Sequence, residues 1–317
     1  MARVVTKRTV IRKKKSSVAE FSMIRPATNV IFHIVLFVYA VTCILPVLLV
    51  VAISMTEEHS IADFGYRFIP KVVSLEGYVY IFQKAAILLN GLKNSIMVVV
   101  VGTVVAILLQ TSMGYVLSRR EFKLHKLYTY IVFLPMLFGG GMIASYFINT
   151  QFLHLNNTFW ALVLPGAVGG FNIIICRTFF QSNITDAVSD SARVDGAGEF
   201  TIYFKLILPL ALPVVATIGL FACFAYWNDW FTGLLYLSDM NKYTLQLILQ
   251  KILNDINQLN RMMDKMPDAS TIEAILRLPR EGTRMAIVLL ITLPIVCAYP
   301  FFQRYFVSGL TIGSVKD

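Results

Sequence analysis

Charged residues are spaced so unevenly along this 317-residue chain that the gaps between them outline a membrane topology. A charge buried in hydrocarbon is costly, so a long charge-free apolar run predicts a helix that crosses the bilayer. Arg25 to Glu57 brackets one such run and Lys93 to Arg119 a second. The stretch from Lys126 to Arg177 is long enough for two helices, and polar residues from Asn149 to Thr158 divide it. Lys205 to Asp229 and Arg284 to Arg304 bracket the last two. The predicted spans are 31–55, 94–118, 127–149, 158–176, 206–227 and 285–303, so the expected fold is all-α, a polytopic transmembrane helical bundle of six membrane spans.

Basic residues set the orientation. The tail 1–25 carries Arg3, Lys7, Arg8, Arg12, Lys13, Lys14, Lys15 and Arg25 against Glu20 alone, and the turn after the second span carries Arg119, Arg120, Lys123 and Lys126 against Glu121. Short loops rich in Lys and Arg stay in the cytoplasm. The chain therefore divides into a basic cytoplasmic tail, 1–25, and a membrane domain, 26–317, with both termini cytoplasmic. The loop 177–205 is then cytoplasmic, and the segments 56–93 and 228–284 lie outside. In the last segment Leu245, Ile248, Ile252, Ile256 and Leu259 recur every three or four residues, which predicts a helix with one apolar face packed on the bundle.

Pro46, Pro135, Pro165, Pro209, Pro213 and Pro294 fall within or at the ends of the apolar runs, and Gly139-Gly140-Gly141 interrupts the third span. Such residues are tolerated in membrane helices where neighbours or a water-filled path satisfy the freed backbone groups. Gly140 accordingly marks either the translocation path or a site of close helix packing.

Composition agrees with a chain dissolved mostly in lipid: 57% of residues are apolar and 15% are charged. The net charge of +10 sits largely in the tail beside the first span, where it serves as an anchor against anionic membrane lipid, so no nucleic-acid partner is expected. Cys43, Cys176, Cys223 and Cys297 lie apart in apolar stretches and read as buried hydrophobes. His33, His59, His125 and His154 are scattered, which suggests neither a metal site nor a catalytic pair. No phosphate-binding GxxxxGK[ST] loop occurs, so the chain is not expected to be an enzyme or to carry a cofactor. A secondary transporter would need ionisable groups inside its spans, and the predicted spans contain no Asp, Glu, Lys or Arg.

The loop 177–205 is far longer than a turn requires. Thr185 suits a helix N-cap, Asp186 suits the positive end of that helix, and Gly196 stands where a left-handed residue would end it. A second helix from Glu199 would carry Phe200 and Phe204 on one face. The result is a helix–glycine–helix elbow with small and aromatic surfaces suited to a protein partner. Asp190-Ser191-Ala192-Arg193-Val194-Asp195-Gly196-Ala197, followed by Phe204, Leu208-Pro209-Leu210 and Pro213, resembles the signature loop of ABC-importer permeases. That pattern runs Glu-Ala-Ala, three residues, Gly, then a hydrophobic-Leu-Pro ending; here Asp190 replaces Glu and Ser191 the first Ala. Phe138-Gly139-Gly140-Gly141, Asn157-Thr158-Phe159-Trp160, Tyr243-Thr244-Leu245-Gln246 and Tyr299-Pro300-Phe301-Phe302 are similar to the carbohydrate-uptake branch, in its lipoprotein-associated, complex-oligosaccharide subgroup.

The resemblance implies an importer of a sugar or oligosaccharide in the bacterial cytoplasmic membrane. Its implied partners are a second homologous permease, two ATPase subunits that hold the ATP and Mg, and an extracytoplasmic solute-binding protein. The elbow would sit in a cleft of the ATPase, with Ala192 and Ala197 keeping it slim and Asp190, Arg193 and Asp195 either pairing with the partner or lying in solvent. A permease for a non-sugar solute is the alternative, although a charged solute would call for charged groups in the path. For hydroxyl-compatible contacts the chain offers Tyr146 and Asn149, Asn172, and Tyr226, Trp227 and Asn228. Each has a second reading, as an interfacial aromatic or as an amide bonded to a neighbouring helix.

Overall fold

The computed structural model describes residues 26–83, 85–119, 121–263 and 280–312; the basic tail 1–25 and part of the outer segment 228–284 lie outside the described residues. Among the described residues the structure is helical, with a single isolated bridge, Thr56 to Val73, and no strand. The chain divides into two compact units at Val50. The first holds most of helix α1, Pro26–Ser54, which contains Pro46 and exposes its apolar side chains from Val30 to Leu48.

The second unit is built around α4, Ala85–Ser118. At 34 residues it is about 50 Å long, well beyond the hydrocarbon core, so it starts nine residues before the predicted span. Its buried face repeats small or short polar residues, among them Gly91, Ser95, Gly102, Ala106, Thr111 and Gly114. Spacing of about four puts them on one stripe, and the lack of side chains lets neighbours approach closely. Gly102 lies under the ring of Tyr226, and Gly114 lies against Cys176 and the backbone of Arg177. Tyr226 belongs to helix α11, Leu212–Asn228, and Cys176 to α8, Gly170–Asn183.

Three expected spans are broken. The third runs as α5, His125–Leu137, and then bends by 119° into α6, Gly141–Phe152. Gly141 has a φ of +79°, a conformation that glycine adopts at little cost. The fourth, predicted as one helix over 158–176, is α7, Trp160–Val163, then an irregular 164–169 segment, then α8. Pro165 removes a donor there, and the freed carbonyls find partners on other helices: Tyr226 donates its hydroxyl to Val163 at 2.7 Å and Gln110 its amide to Ala167 at 2.9 Å.

The expected fifth span, 206–227, begins later. Residues from Glu199 to Leu210 form a separate helix, set at 84° to α11. The kink falls at Ala211, between Pro209 and Pro213, neither of which has an N–H to continue the ladder. After the short α12, Phe231–Tyr236, the expected amphipathic helix is α13, Leu245–Met263, with Leu245, Ile248, Ile252 and Ile256 buried; the side chain of Leu259 lies outside the described residues. The last helix, α14, spans Glu281–Ile312 and contains Pro294 and Pro300. Its first turn rests on two short helices, α2 (Glu58–Phe64) and α3 (Glu76–Phe82). The buried carboxylate of Glu58 accepts from the Glu281 N–H at 3.0 Å and the Gly282 N–H at 3.3 Å, so a negative group meets the positive end of α14. Gly77 on α3 faces the backbone of Gly282 and Thr283 directly.

Candidate functional site

The elbow forms as its sequence pattern predicts, in finer detail. Helix α9, Asp186–Val194, ends in a Schellman motif: the Ala197 N–H donates to Ala192 at 2.9 Å and the Gly196 N–H to Arg193 at 3.0 Å. Gly196 supplies the left-handed turn with a φ of +81°, and among the described residues no atom beyond its chain neighbours lies within 4 Å of where its Cβ would be. Gly198 then leads into α10, Glu199–Leu210, which is π-wound over Ile202–Ile207. Thr185 occupies the N-cap position in extended backbone, but its side chain makes no capping bond. Asp186 is instead engaged by Arg119 at 2.8 Å, and Arg119 also donates to the hydroxyl of Tyr115.

The elbow has an inner and an outer face. Ala192 is buried and Ala197 half-buried, both against a cluster that includes Tyr115, Cys176, Phe180, Ile202 and Tyr203. Their smallness serves packing within this chain. The outer face carries Val194, 88% exposed, and Phe200, 81% exposed, with Phe204 half-exposed and edge-on to Tyr203. Asp190, Ser191 and Asp195 are exposed. Ser191 returns its hydroxyl to the Ala187 carbonyl of its own helix, so it presents little more polarity than alanine.

Arg193 ties the elbow together. Its guanidinium meets Glu121 at 2.7 Å, Glu199 at 2.9 Å and Asp190 at 3.4 Å. The Glu199 and Glu121 carboxylates hold it well above the ordinary arginine pKa. Glu121 and Arg119 both come from the turn after α4, so two segments expected on the cytoplasmic side meet here. Sequence reasoning did not single out Arg119 or Glu121 as elbow residues, since nothing local pairs them with positions about 70 residues on. Replacing Arg193 with Ala is expected to leave membrane insertion unchanged and to speed cleavage after Glu199 by a glutamate-specific protease several-fold; an unchanged cleavage rate refutes the clamp.

The proposed path residues separate into groups. Tyr146 stacks on Tyr236 with ring centroids 5.7 Å apart, and Asn149 donates to the Tyr236 hydroxyl at 2.9 Å. Beside them Asn157, in left-handed backbone with a φ of 54°, accepts from the Ser238 and Asp239 N–H groups and takes Lys242 on its carbonyl. Tyr236 and Asn157 organise this cluster, and neither stood out in the sequence as a site residue. Tyr226 and Trp227 are instead core residues: Tyr226 bonds Val163, and Trp227 donates to the Ile291 carbonyl at 3.1 Å. Their hydroxyl and indole N–H groups are thus spent on neighbouring helices. Asn228 is exposed and bonds the Phe224 carbonyl, Asn172 is half-buried near Gly169, and Gly140 has no other group close to it. Among the described residues no cluster of His, Cys, Asp and Glu could hold a metal ion.

Long apolar helices, broken spans and a glycine-hinged elbow define a multi-pass membrane transport subunit. The chain belongs to the family of binding-protein-dependent transport system inner membrane components, which matches residues 110–312. It is 37% identical over 281 residues to the polygalacturonan/rhamnogalacturonan transport system permease protein YtcP of Bacillus subtilis (strain 168), covering 89% of this chain and 95% of that protein. Protein LplC of the same organism is 38% identical, covering 86% of this chain and 89% of its own length. The fold matches a bacterial ABC transporter involved in the import of the acidic polysaccharide alginate, with a TM-score of 0.73 at 24% identity, covering 92% of this chain and 99% of that one.

Proposed function

We propose that this chain is the permease subunit of an ATP-binding-cassette importer that carries a sugar or oligosaccharide into a bacterial cell, driven through the elbow by a separate ATPase. The observation that carries this reading is the outer face of the elbow. Val194 and Phe200 stand in solvent on a Schellman-hinged, salt-bridged support, an arrangement suited to a protein cleft. The contact between the elbow and the Arg119–Glu121 turn supports one shared cytoplasmic side. It fits six spans, cytoplasmic termini and the extracytoplasmic segments 56–93 and 228–284. The full assembly holds this chain, a homologous second permease, two ATPase subunits that bind ATP and Mg, and an extracytoplasmic solute-binding protein. The sugar assignment draws on the names of the relatives, which include transporters of pectic polymers and arabino-oligosaccharides. Tyr146, exposed and backed by the buried Tyr236, offers an aromatic face with the Asn149 amide beside it, an arrangement suited to a sugar ring.

The test uses the complex purified from its host by a tag on this chain. Phe200→Ala is expected to lower the ATPase recovered by about tenfold or more, because a buried aromatic anchor is worth about 2 kcal/mol or more at an interface. Undiminished recovery refutes the docking face. Uptake of labelled oligogalacturonides, arabino-oligosaccharides and raffinose by cells lacking the chain is expected to fall for at least one sugar, and unaltered uptake of all of them refutes the sugar assignment.

A further inference from the structure

Force applied to the elbow has to leave it through contacts that hold while they move. The ion pairs of Arg193 and Arg119 lie at the water-facing surface, where carboxylate partners are about 60% exposed and salt screens them. The apolar contacts of α10 can slide. One contact is of another kind. Tyr203, 6% exposed in the π-wound part of α10, places its hydroxyl 2.7 Å from Oγ1 of Thr111, a fully buried residue on α4. Thr111 already donates to the Ile107 carbonyl at 2.6 Å, so Tyr203 is the donor in the pair.

A hydroxyl separated from its partner in an apolar interior loses its hydrogen bond with no water to replace it, so the two groups stay together when α10 moves. π-Wound segments are rare and recur at functional sites, and here the winding surrounds the residue that makes this contact. Beyond Thr111, α4 continues unbroken to its outer end. There Asn94 donates to the Asn241 and Tyr243 carbonyls, and Ser95 accepts from the Leu245 N–H at 2.8 Å. One helix therefore joins the Tyr203 contact to the outer segment.

We infer that the buried Tyr203–Thr111 hydroxyl pair is the joint through which the elbow moves α4, which makes Tyr203 a positioning residue for transport. This rests on the elbow being the ATPase docking site. Tyr203 pivots with α10, Thr111 follows it, and the displacement reaches the outer loop at residues 241–245.

The experiment uses the whole complex in lipid nanodiscs with Lys93→Cys, an exposed position at the outer end of α4. A membrane-impermeant maleimide reports its reactivity with and without ATP plus vanadate; the native cysteines lie in apolar segments. In the Lys93→Cys parent the reactivity changes on vanadate trapping. Tyr203→Phe and Thr111→Val each shrink that change about three- to tenfold, the equilibrium weight of one buried hydrogen bond, while ATP hydrolysis and subunit recovery stay near parent values. Thr111→Ser, which keeps the hydroxyl, restores the change, and the Tyr203→Phe/Thr111→Val pair is no worse than either alone. A full change in Tyr203→Phe, equal behaviour of Thr111→Ser and Thr111→Val, no change in the parent, or a parallel loss of subunit recovery each overturns the inference. If Gly196→Val abolishes the change and Tyr203→Phe does not, only the joint fails. If Gly196→Val preserves it, the docking role of the elbow fails first.

Discussion

Gly196→Val is expected to abolish transport and remove most of the recovered ATPase while the chain still reaches the membrane in normal amount. A φ of +81° costs an L-residue about 1–2 kcal/mol, and more when the side chain is β-branched. Leaving that conformation breaks both bonds of the Schellman motif, from Ala197 to Ala192 and from Gly196 to Arg193, each worth about 1 kcal/mol. By either route the penalty is about 2 kcal/mol, which lowers the population of the native elbow about thirtyfold. Among the described residues a side chain at 196 would begin in open space, so the spans keep their packing. Quantitative blotting of membranes, ATPase recovery and uptake read the three effects separately. Asn at 196 is expected to fall between glycine and valine, because asparagine tolerates left-handed backbone. Wild-type uptake in the valine variant would sink the assignment.

The second large effect is expected on stability, where α3 meets the start of α14. A Cβ at Gly77 would fall 2.7 Å from the carbonyl carbon of Gly282 and 2.8 Å from the nitrogen of Thr283, both backbone atoms that cannot rotate aside. Gly77→Val therefore drives α3 and the start of α14 apart. Overpacking of this kind costs about 1–3 kcal/mol. Separation also strains the bonds from Glu58 to the first N–H groups of α14, and losing hydrogen bonds to a charged group adds about 1.5–3 kcal/mol. In detergent, the valine variant is expected to unfold at clearly lower temperature and to yield less monodisperse protein by gel filtration. Glu58→Gln, which keeps an acceptor but loses the charge, is expected to shift the transition less. Equal stability of Gly77→Val and wild type would show that the close approach is not needed.

The parts of the fold that a single strong force dictates were legible in the sequence. Exclusion of charge from hydrocarbon marked the helices Pro26–Ser54 and Ala85–Ser118, and apolar periodicity marked Leu245–Met263. The interruption at 164–169 was not legible, because Pro165 and Gly166 break a helix only if something receives the freed carbonyls. The receivers, Gln110 and Tyr226, come from helices far away in sequence. For the same reason Tyr226 looked like a path residue although its hydroxyl is needed at that break. The run from Leu206 to Trp227 looked continuous because hydropathy does not register the 84° turn at Ala211. In the elbow, the turn glycine and the two helices follow from local stereochemistry and could be read directly. The direction each residue faces could not. Ala192 and Phe200 are both apolar, and only the tertiary fold turns one inward and leaves the other in water.

The empty space around Gly196 has a consequence for what kind of constraint it is. Within this chain the position does not ask for smallness; it asks for handedness. A mirror-image amino acid there would sit comfortably in the backbone that its natural counterpart resists.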